Sequence, residues 1–181
     1  VHYDLGATAP QFEKFLERIL PADDIRRYVQ NALGYSAIGS VTEHLVLMAH
    51  VSGANGKSVL FGIASAALGE YAIGVPTALL ANTGMNEHPT LLTVLRGARF
   101  ALASEAARGS RFNEAQIKML TGGDTISARG MRENYSEFKP THTLWLQTNH
   151  KPRAMETTPA FWRRVRLIPF EVTIPLTEQD R

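Results

Sequence analysis

Ser52-Gly53-Ala54-Asn55-Gly56-Lys57-Ser58 follows directly on the continuous apolar run Leu45-Val46-Leu47-Met48 and opens a second apolar stretch that runs to Leu68 and stops at Gly69. A continuous apolar run is the pattern of a strand buried on both faces, so the order is strand, glycine turn, helix, which is half of a βαβ unit. Phosphate oxygens need several backbone N–H donors converging from one side. A turn with little Cβ bulk permits that, and the helix N-terminus adds its partial positive charge. Gly53 and Gly56 allow the approach, Lys57 neutralises β- and γ-phosphate charge, and the Ser58 hydroxyl is placed to ligate Mg²⁺. The template wants glycine at position 51 and this chain has Val51, a β-branched residue that resists unusual backbone angles.

The flanks of this stretch set the rest of the fold. Phe12, Phe15, Leu16, Ile19 and Leu20 recur at helical spacing before Pro21; Asp23 and Asp24 then cap a second helix, with Ile25, Tyr28, Val29, Ala32 and Leu33 inward and Gly34 as its end. Further strands are expected at Arg99 to Ala103, Thr143 to Thr148 and Arg166 to Phe170, with helices at Pro89 to Leu95 and Asn113 to Leu120. Between Thr125 and Phe138 residues alternate around Gly130, which predicts a β-hairpin carrying Arg129 and Arg132 near its tip. The expected architecture is α/β: a three-layer P-loop NTPase with a parallel central sheet (44–181), preceded by a small helical subdomain (1–43).

Composition narrows the function classes. The chain has 181 residues and 20.0 kDa, 44% hydrophobic and 20% charged, enough to bury a core without disulfide or structural metal. It has no cysteine, which excludes disulfide scaffolds, thiolate zinc sites and cysteine nucleophiles. No apolar run approaches the roughly 18 residues of a membrane span, and no basic-then-apolar signal stands at the start, so an intracellular protein is expected. A start at Val1 and a stop at Arg181 soon after an apolar strand suggest a piece of a longer chain. The net charge of +2 hides an asymmetry: residues 96–166 carry 13 basic and 6 acidic side chains, hence +7, and 14 of the 19 cations are arginine. The arginine fork suits phosphate, which favours a polyanionic ligand over a merely solvated face.

Three more segments carry chemistry. Phe100-Ala101-Leu102-Ala103-Ser104-Glu105 is an apolar strand ending in a carboxylate; Glu105 is the candidate to hold Mg²⁺ or polarise the attacking water, with Ser104 where related ATPases often have a second acid. Leu144-Trp145-Leu146-Gln147-Thr148-Asn149 ends in an amide that either holds that water, donating one hydrogen bond and accepting another, or is a strand-end turn residue. Phe161-Trp162-Arg163-Arg164-Val165-Arg166 places three arginines before the last strand. They read either as a trans-acting finger for a neighbouring subunit's γ-phosphate or as a basic strand entrance with Trp162 packed on the core.

Taken in order, Asn55-Gly56-Lys57-Ser58, Ala103-Ser104-Glu105, Lys118 through Leu120-Thr121-Gly122-Gly123-Asp124, Thr148-Asn149-His150-Lys151-Pro152 and Trp162-Arg163-Arg164 with Ile168-Pro169-Phe170 resemble the motif series of superfamily 3 helicases, specifically the helicase domain of phage and plasmid primase-helicases. The resemblance covers nearly the whole chain, including the helical stretch through Leu33-Gly34-Tyr35. It implies a hexameric, AAA+-like ring that hydrolyses ATP and pulls single-stranded DNA through its channel in a bacterial cell. Residues 53–58 (Gly53, Ala54, Asn55, Gly56, Lys57 and Ser58) then bind ATP, Ser58 and Glu105 hold Mg²⁺, Glu105 activates water and Asn149 is the sensor. Arg164 is the first choice of finger and Arg163 the second, while Lys118, Arg129 and Arg132 contact DNA phosphates. A primase domain is expected upstream in the same protein. Two other classes compete: a nucleotide-stabilised DNA-binding and assembly module without motor activity, which Val51 favours, and a small-metabolite P-loop kinase, which leaves the basic hairpin and the arginine pair unused.

Overall fold

The computed structural model describes residues 6–50, 53–82, 89–155 and 158–179; Val51 and Ser52 lie outside the described residues. The elements in chain order are α1 (Pro10–Ile19), α2 (Asp23–Ile38), β1 (Val46–His50), α3 (Lys57–Leu68), β2 (Ala72–Val75), β3 (Ala81–Asn82), β4 (Phe100–Ser104), β5 (Arg111–Phe112), α4 (Glu114–Thr121), β6 (Ile126–Ala128), β7 (Ser136–Phe138), β8 (Thr143–Thr148), α5 (Pro159–Trp162) and β9 (Val165–Pro169). Five strands form one parallel sheet in the order β2-β4-β8-β1-β9, and β6 with β7 forms the expected antiparallel hairpin. This is an α/β, P-loop NTPase-like fold with a parallel central sheet.

Strand periodicity divides the core. Leu47 and Ala49 of β1 face one side, where they meet Trp145, Phe100 and Ile168 of neighbouring strands beneath Leu16, Ile19, Val29 and Leu60 of the helices. Val46 and Met48 face the other side, with Leu144, Leu146 and Ala103 packed on Ile117, Leu120 and Phe161. The continuous apolar reading of β1 follows from this burial on both faces. At the centre of the first layer Phe61, Phe100 and Trp145 stack with ring centroids 5.3 to 6.2 Å apart.

Three expectations change. Helix α2 runs past Gly34 to Ile38 and ends at Gly39, whose φ of 75° and ψ of 42° make the left-handed cap. Tertiary contact carries it across the glycine: the Ser36 hydroxyl donates to the Ala32 carbonyl (2.8 Å) and accepts from the Trp145 indole N–H (3.0 Å). The segment Pro89–Leu95 is a 3₁₀-helix instead of an α-helix. Strand β2 has no counterpart in the sequence reading, because Ala72-Ile73-Gly74-Val75 is short, contains a glycine and occupies a sheet edge, paired on β4 alone.

Candidate nucleotide-binding site

The register brings the ends of β1, β8 and β4 to one edge. His50 stands beside Thr148, and Ser104 beside Gln147, so the loops that follow these strands converge. Gly53 and Gly56 take φ of 101° and 81°, values that glycine adopts without steric cost. Gly56 is also crowded from below: a Cβ there would stand 2.5 Å from Ile19 Cγ2 and 3.3 Å from the Phe15 ring, so α1 forms the floor of the loop. The outer rim is tied by the Ile174 N–H, which donates to the Ala54 carbonyl (2.7 Å).

Lys57 is 3% exposed and buried at the first position of α3, with its backbone N–H donating to Asn55 Oδ1 (3.2 Å). Its ammonium donates to Asn149 Oδ1 at 3.2 Å. Burial holds the Lys57 pKa below the usual lysine range, and the negative charge of Glu105 opposes that shift. Ser58 accepts a hydrogen bond from Gln147 Nε2 (2.7 Å). Glu105 has a left-handed φ of 63°, fixed by its N–H donating to the Gln147 carbonyl (2.9 Å), while the Thr77 hydroxyl holds the adjoining Ser104 carbonyl (2.6 Å). A left-handed glutamate costs about 1 to 2 kcal/mol and turns the chain where the sheet ends. His50 is held below the usual histidine range by burial, then by the charges of Lys151 and Lys57, so a neutral imidazole lies beside the loop.

Of the residues named from sequence, Lys57, Ser58, Glu105 and Asn149 are therefore brought together. Gln147 and His50 belong to the same edge and were missed. Gln147 lies on β8 two residues before Asn149, which follows the strand's last residue Thr148, and the strand's period of two was the available signal.

A triphosphate fits this edge. Asn55 Nδ2 is buried with no hydrogen-bond partner, a donor waiting inside the loop, and Gly53 has open space where a Cβ would stand. Among the described residues no cluster of three or more His, Asp or Glu side chains is present, so a divalent ion would share Ser58 and Glu105 with phosphate oxygens.

Arg163 and Arg164 lie elsewhere. The Val46 N–H donates to the Arg164 carbonyl (2.8 Å), and Val165 pairs with Val46 at the start of β1, about 13 Å of strand away from His50. Arg163 is exposed; Arg164 is half-buried, its Nε–H donating to Thr121 Oγ1 (3.2 Å) and its Nη1 to the Ala160 carbonyl. Phe161, not Trp162, fills the core: Phe161 is fully buried and Trp162 is 47% exposed. The hairpin rises from this same end of the sheet. Arg129 is exposed and stacks over Tyr135 (5.1 Å to the ring centre), Arg132 is exposed at φ 62°, and Met131 projects from the turn; Lys118 is half-buried on α4.

No protein-family model matches the chain. It is 30% identical over 159 residues to the provisionally named helicase L207/L206 of Acanthamoeba polyphaga mimivirus, covering 86% of this chain and 16% of that protein. It is 27% identical over 165 residues to the provisionally named helicase 022R of Frog virus 3 (88% and 17%), and 25% identical over 154 residues to the provisionally named primase C962R of African swine fever virus (83% and 16%). The chain resembles viral proteins named as helicases and primases. It spans about a sixth of their length. Among solved structures, the apo NrS-1 C-terminal region (305–718) superposes with a TM-score of 0.67 at 14% identity, over 96% of this chain and 41% of that one, a likeness of fold. Among the described residues no helix is long and apolar enough to cross a membrane.

Proposed function

We propose that this chain is the ATPase motor of a superfamily 3 DNA helicase, working as a hexameric ring of identical copies that moves on single-stranded DNA. The observation that carries the reading is the convergence of Lys57, Ser58, Glu105 and Asn149 at one edge of a parallel sheet, with Lys57 bonded to Asn149. Gly53, Ala54, Asn55, Gly56 and Lys57 cradle the phosphates of ATP. Mg²⁺ at Ser58 and Glu105 supplies positive charge to the β- and γ-phosphate oxygens. Glu105 takes a proton from the attacking water, and Asn149 reports the γ-phosphate through its bond to Lys57.

The arginines at the far end of the sheet support a shared site, since Arg164 and Arg163 serve a neighbour's ATP more readily than their own. Backbone contacts from Lys118, Arg129 and Arg132 suit a motor that must move along any sequence. The helices at 1–43 act as a subdomain in front of the core at 44–181, a primase domain belongs to the same full-length protein, and the setting is the cytoplasm of a host cell replicating phage, prophage or plasmid DNA.

The test is ATPase rate against protein concentration, with and without single-stranded DNA, for the unmutated protein, Lys57→Ala and Arg164→Ala. The expected result is a rate rising faster than linearly with concentration, stimulated by DNA and lost in both variants. An assembled hexamer that turns over no ATP overturns the motor in favour of a nucleotide-stabilised module.

A further inference from the structure

Arg164 sits where three elements meet. Its carbonyl is bonded to Val46 at the start of β1, the strand that leads to the phosphate loop; its Nη1 is bonded to the Ala160 carbonyl in α5; and its Nε–H is bonded to Thr121 Oγ1, on the last residue of α4. Thr121 is 3% exposed and its hydroxyl has a single available orientation. The hydroxyl proton goes to the Ile117 carbonyl (2.7 Å), which turns the oxygen lone pairs toward Arg164. His44 Nδ1 donates to the Thr121 carbonyl (2.5 Å) and fixes the residue from its other side.

The chemistry of these partners matters. The two acceptors of its guanidinium are neutral oxygens, and among the described residues Arg164 has no ion pair. A half-buried arginine with a purely structural duty gains most from a carboxylate, which would cancel its charge. Here the guanidinium is oriented with no carboxylate beside it, and both Nη2 hydrogens and one on Nη1 meet no acceptor among the described residues. The side chain of Arg163 next to it is exposed and has no hydrogen bond or ion pair among the described residues, so it lacks this orientation.

We propose that Thr121 is a positioning residue for Arg164, aiming an uncompensated guanidinium at the ATP bound by a second copy of this chain. The proposal rests on the shared-site reading above and deepens it by naming the residue that fixes the finger. A misplacement of about 1 Å costs on the order of 10²-fold in rate, which is the effect expected of losing the Thr121 bond.

The experiment measures kcat and KM for ATP, with DNA present, in the full-length protein. Thr121→Val, which keeps volume and removes the hydroxyl, is expected to lower kcat about 10²-fold with KM unchanged; Thr121→Ser is expected to retain activity. Arg164→Lys keeps the charge but has no Nε donor for Thr121, so it is expected to lose as much as Thr121→Val. It tests the same bond should the valine variant not fold. Adding Thr121→Val to Arg164→Ala is expected to change nothing further. Full kcat in Thr121→Val or Arg164→Lys, with Arg164→Ala inactive, overturns the positioning role alone. So does a serine variant as poor as the valine, or an equal loss in the Arg164→Ala background. Full kcat in Arg164→Ala overturns the finger reading and this proposal with it.

Discussion

Lys57 Nζ donates to Asn149 Oδ1 across 3.2 Å, joining the helix that opens at the phosphate loop to the end of the central strand β8. One residue supplies charge and the other supplies only geometry, so their removal separates binding from turnover. Lys57→Ala is expected to weaken ATP binding at least tenfold, because it deletes a charge-assisted contact to phosphate. Asn149→Ala is expected to leave ATP affinity within a few-fold and lower kcat on the order of 10²-fold. Titration with a fluorescent ATP analogue alongside steady-state turnover checks both.

Gln147 holds the Ser58 hydroxyl at 2.7 Å. Gln147→Ala frees that hydroxyl to rotate, so the Mg²⁺ concentration for half-maximal turnover should rise several-fold while nucleotide binding in EDTA stays constant. An unchanged Mg²⁺ requirement would show that Ser58 needs no help from β8.

The two loop glycines differ in cost. Gly53 has nothing within 4 Å of an added Cβ, so Gly53→Ala meets only backbone strain at φ 101°, about 1 to 2 kcal/mol. Gly56→Ala meets strain and the Ile19 side chain at 2.5 Å, for about 2 to 5 kcal/mol in all. Urea denaturation of the pair should order them accordingly.

His142 is 2% exposed, neither ring nitrogen has a hydrogen-bond partner, and burial pushes its pKa down to about 4, with a smaller opposing effect from the Leu120 backbone. Between its unfolded value of 6.5 and about 4 the unfolded chain binds a proton that the folded chain refuses, so this residue removes stability as the pH falls through that window. The full effect is on the order of 3 kcal/mol. His142→Leu should flatten the acid side of the Tm profile between pH 6.5 and 4 and leave its shape above pH 7 unaltered; an equally steep acid limb would refute the assignment.

On the hairpin, Arg129 and Arg132 stand exposed around the turn that joins β6 to β7. Changing both to alanine should weaken single-stranded DNA binding and reduce the slope of log K against log salt by about 1.4, with basal ATPase intact. Equal slopes would remove the hairpin from DNA contact.

The parts legible in sequence are those with a short-range signature. Buried parallel strands read as apolar runs, which gave β1, β4 and β8, the edge strand β9 was legible from Leu167-Ile168-Pro169-Phe170, and Gly53, Gly56 and Lys57 announced the loop because few other uses need that spacing. What stayed hidden depends on register. Gln147 reaches Ser58 only because β8 lies beside β1, and β2 exists only because β4 offers it an edge. Gly34 was read as a helix end because its propensity is poor, whereas the Ser36–Trp145 bond, 109 residues apart in sequence, holds the helix through it. Thr121 stood within the Leu120–Asp124 stretch of the motif series but with no role of its own, since a helix-terminal threonine is ordinary until Arg164 is placed against it.

The two tryptophans occupy opposite surroundings, and this gives the chain a pair of internal optical reporters. Trp145 is sealed between Phe61 and Phe100 with its indole N–H bonded to Ser36, so its emission is expected to be shielded from iodide and to respond to opening of the core. Trp162 stands half in water beside Arg163 and Arg164, so its emission is expected to lie to the red of that of Trp145 and to be open to quenching until something covers that face. Loss of the quenchable fraction at constant emission from Trp145 would therefore register association of folded copies in a single cuvette, without labels, and a merging of the two signals would register unfolding.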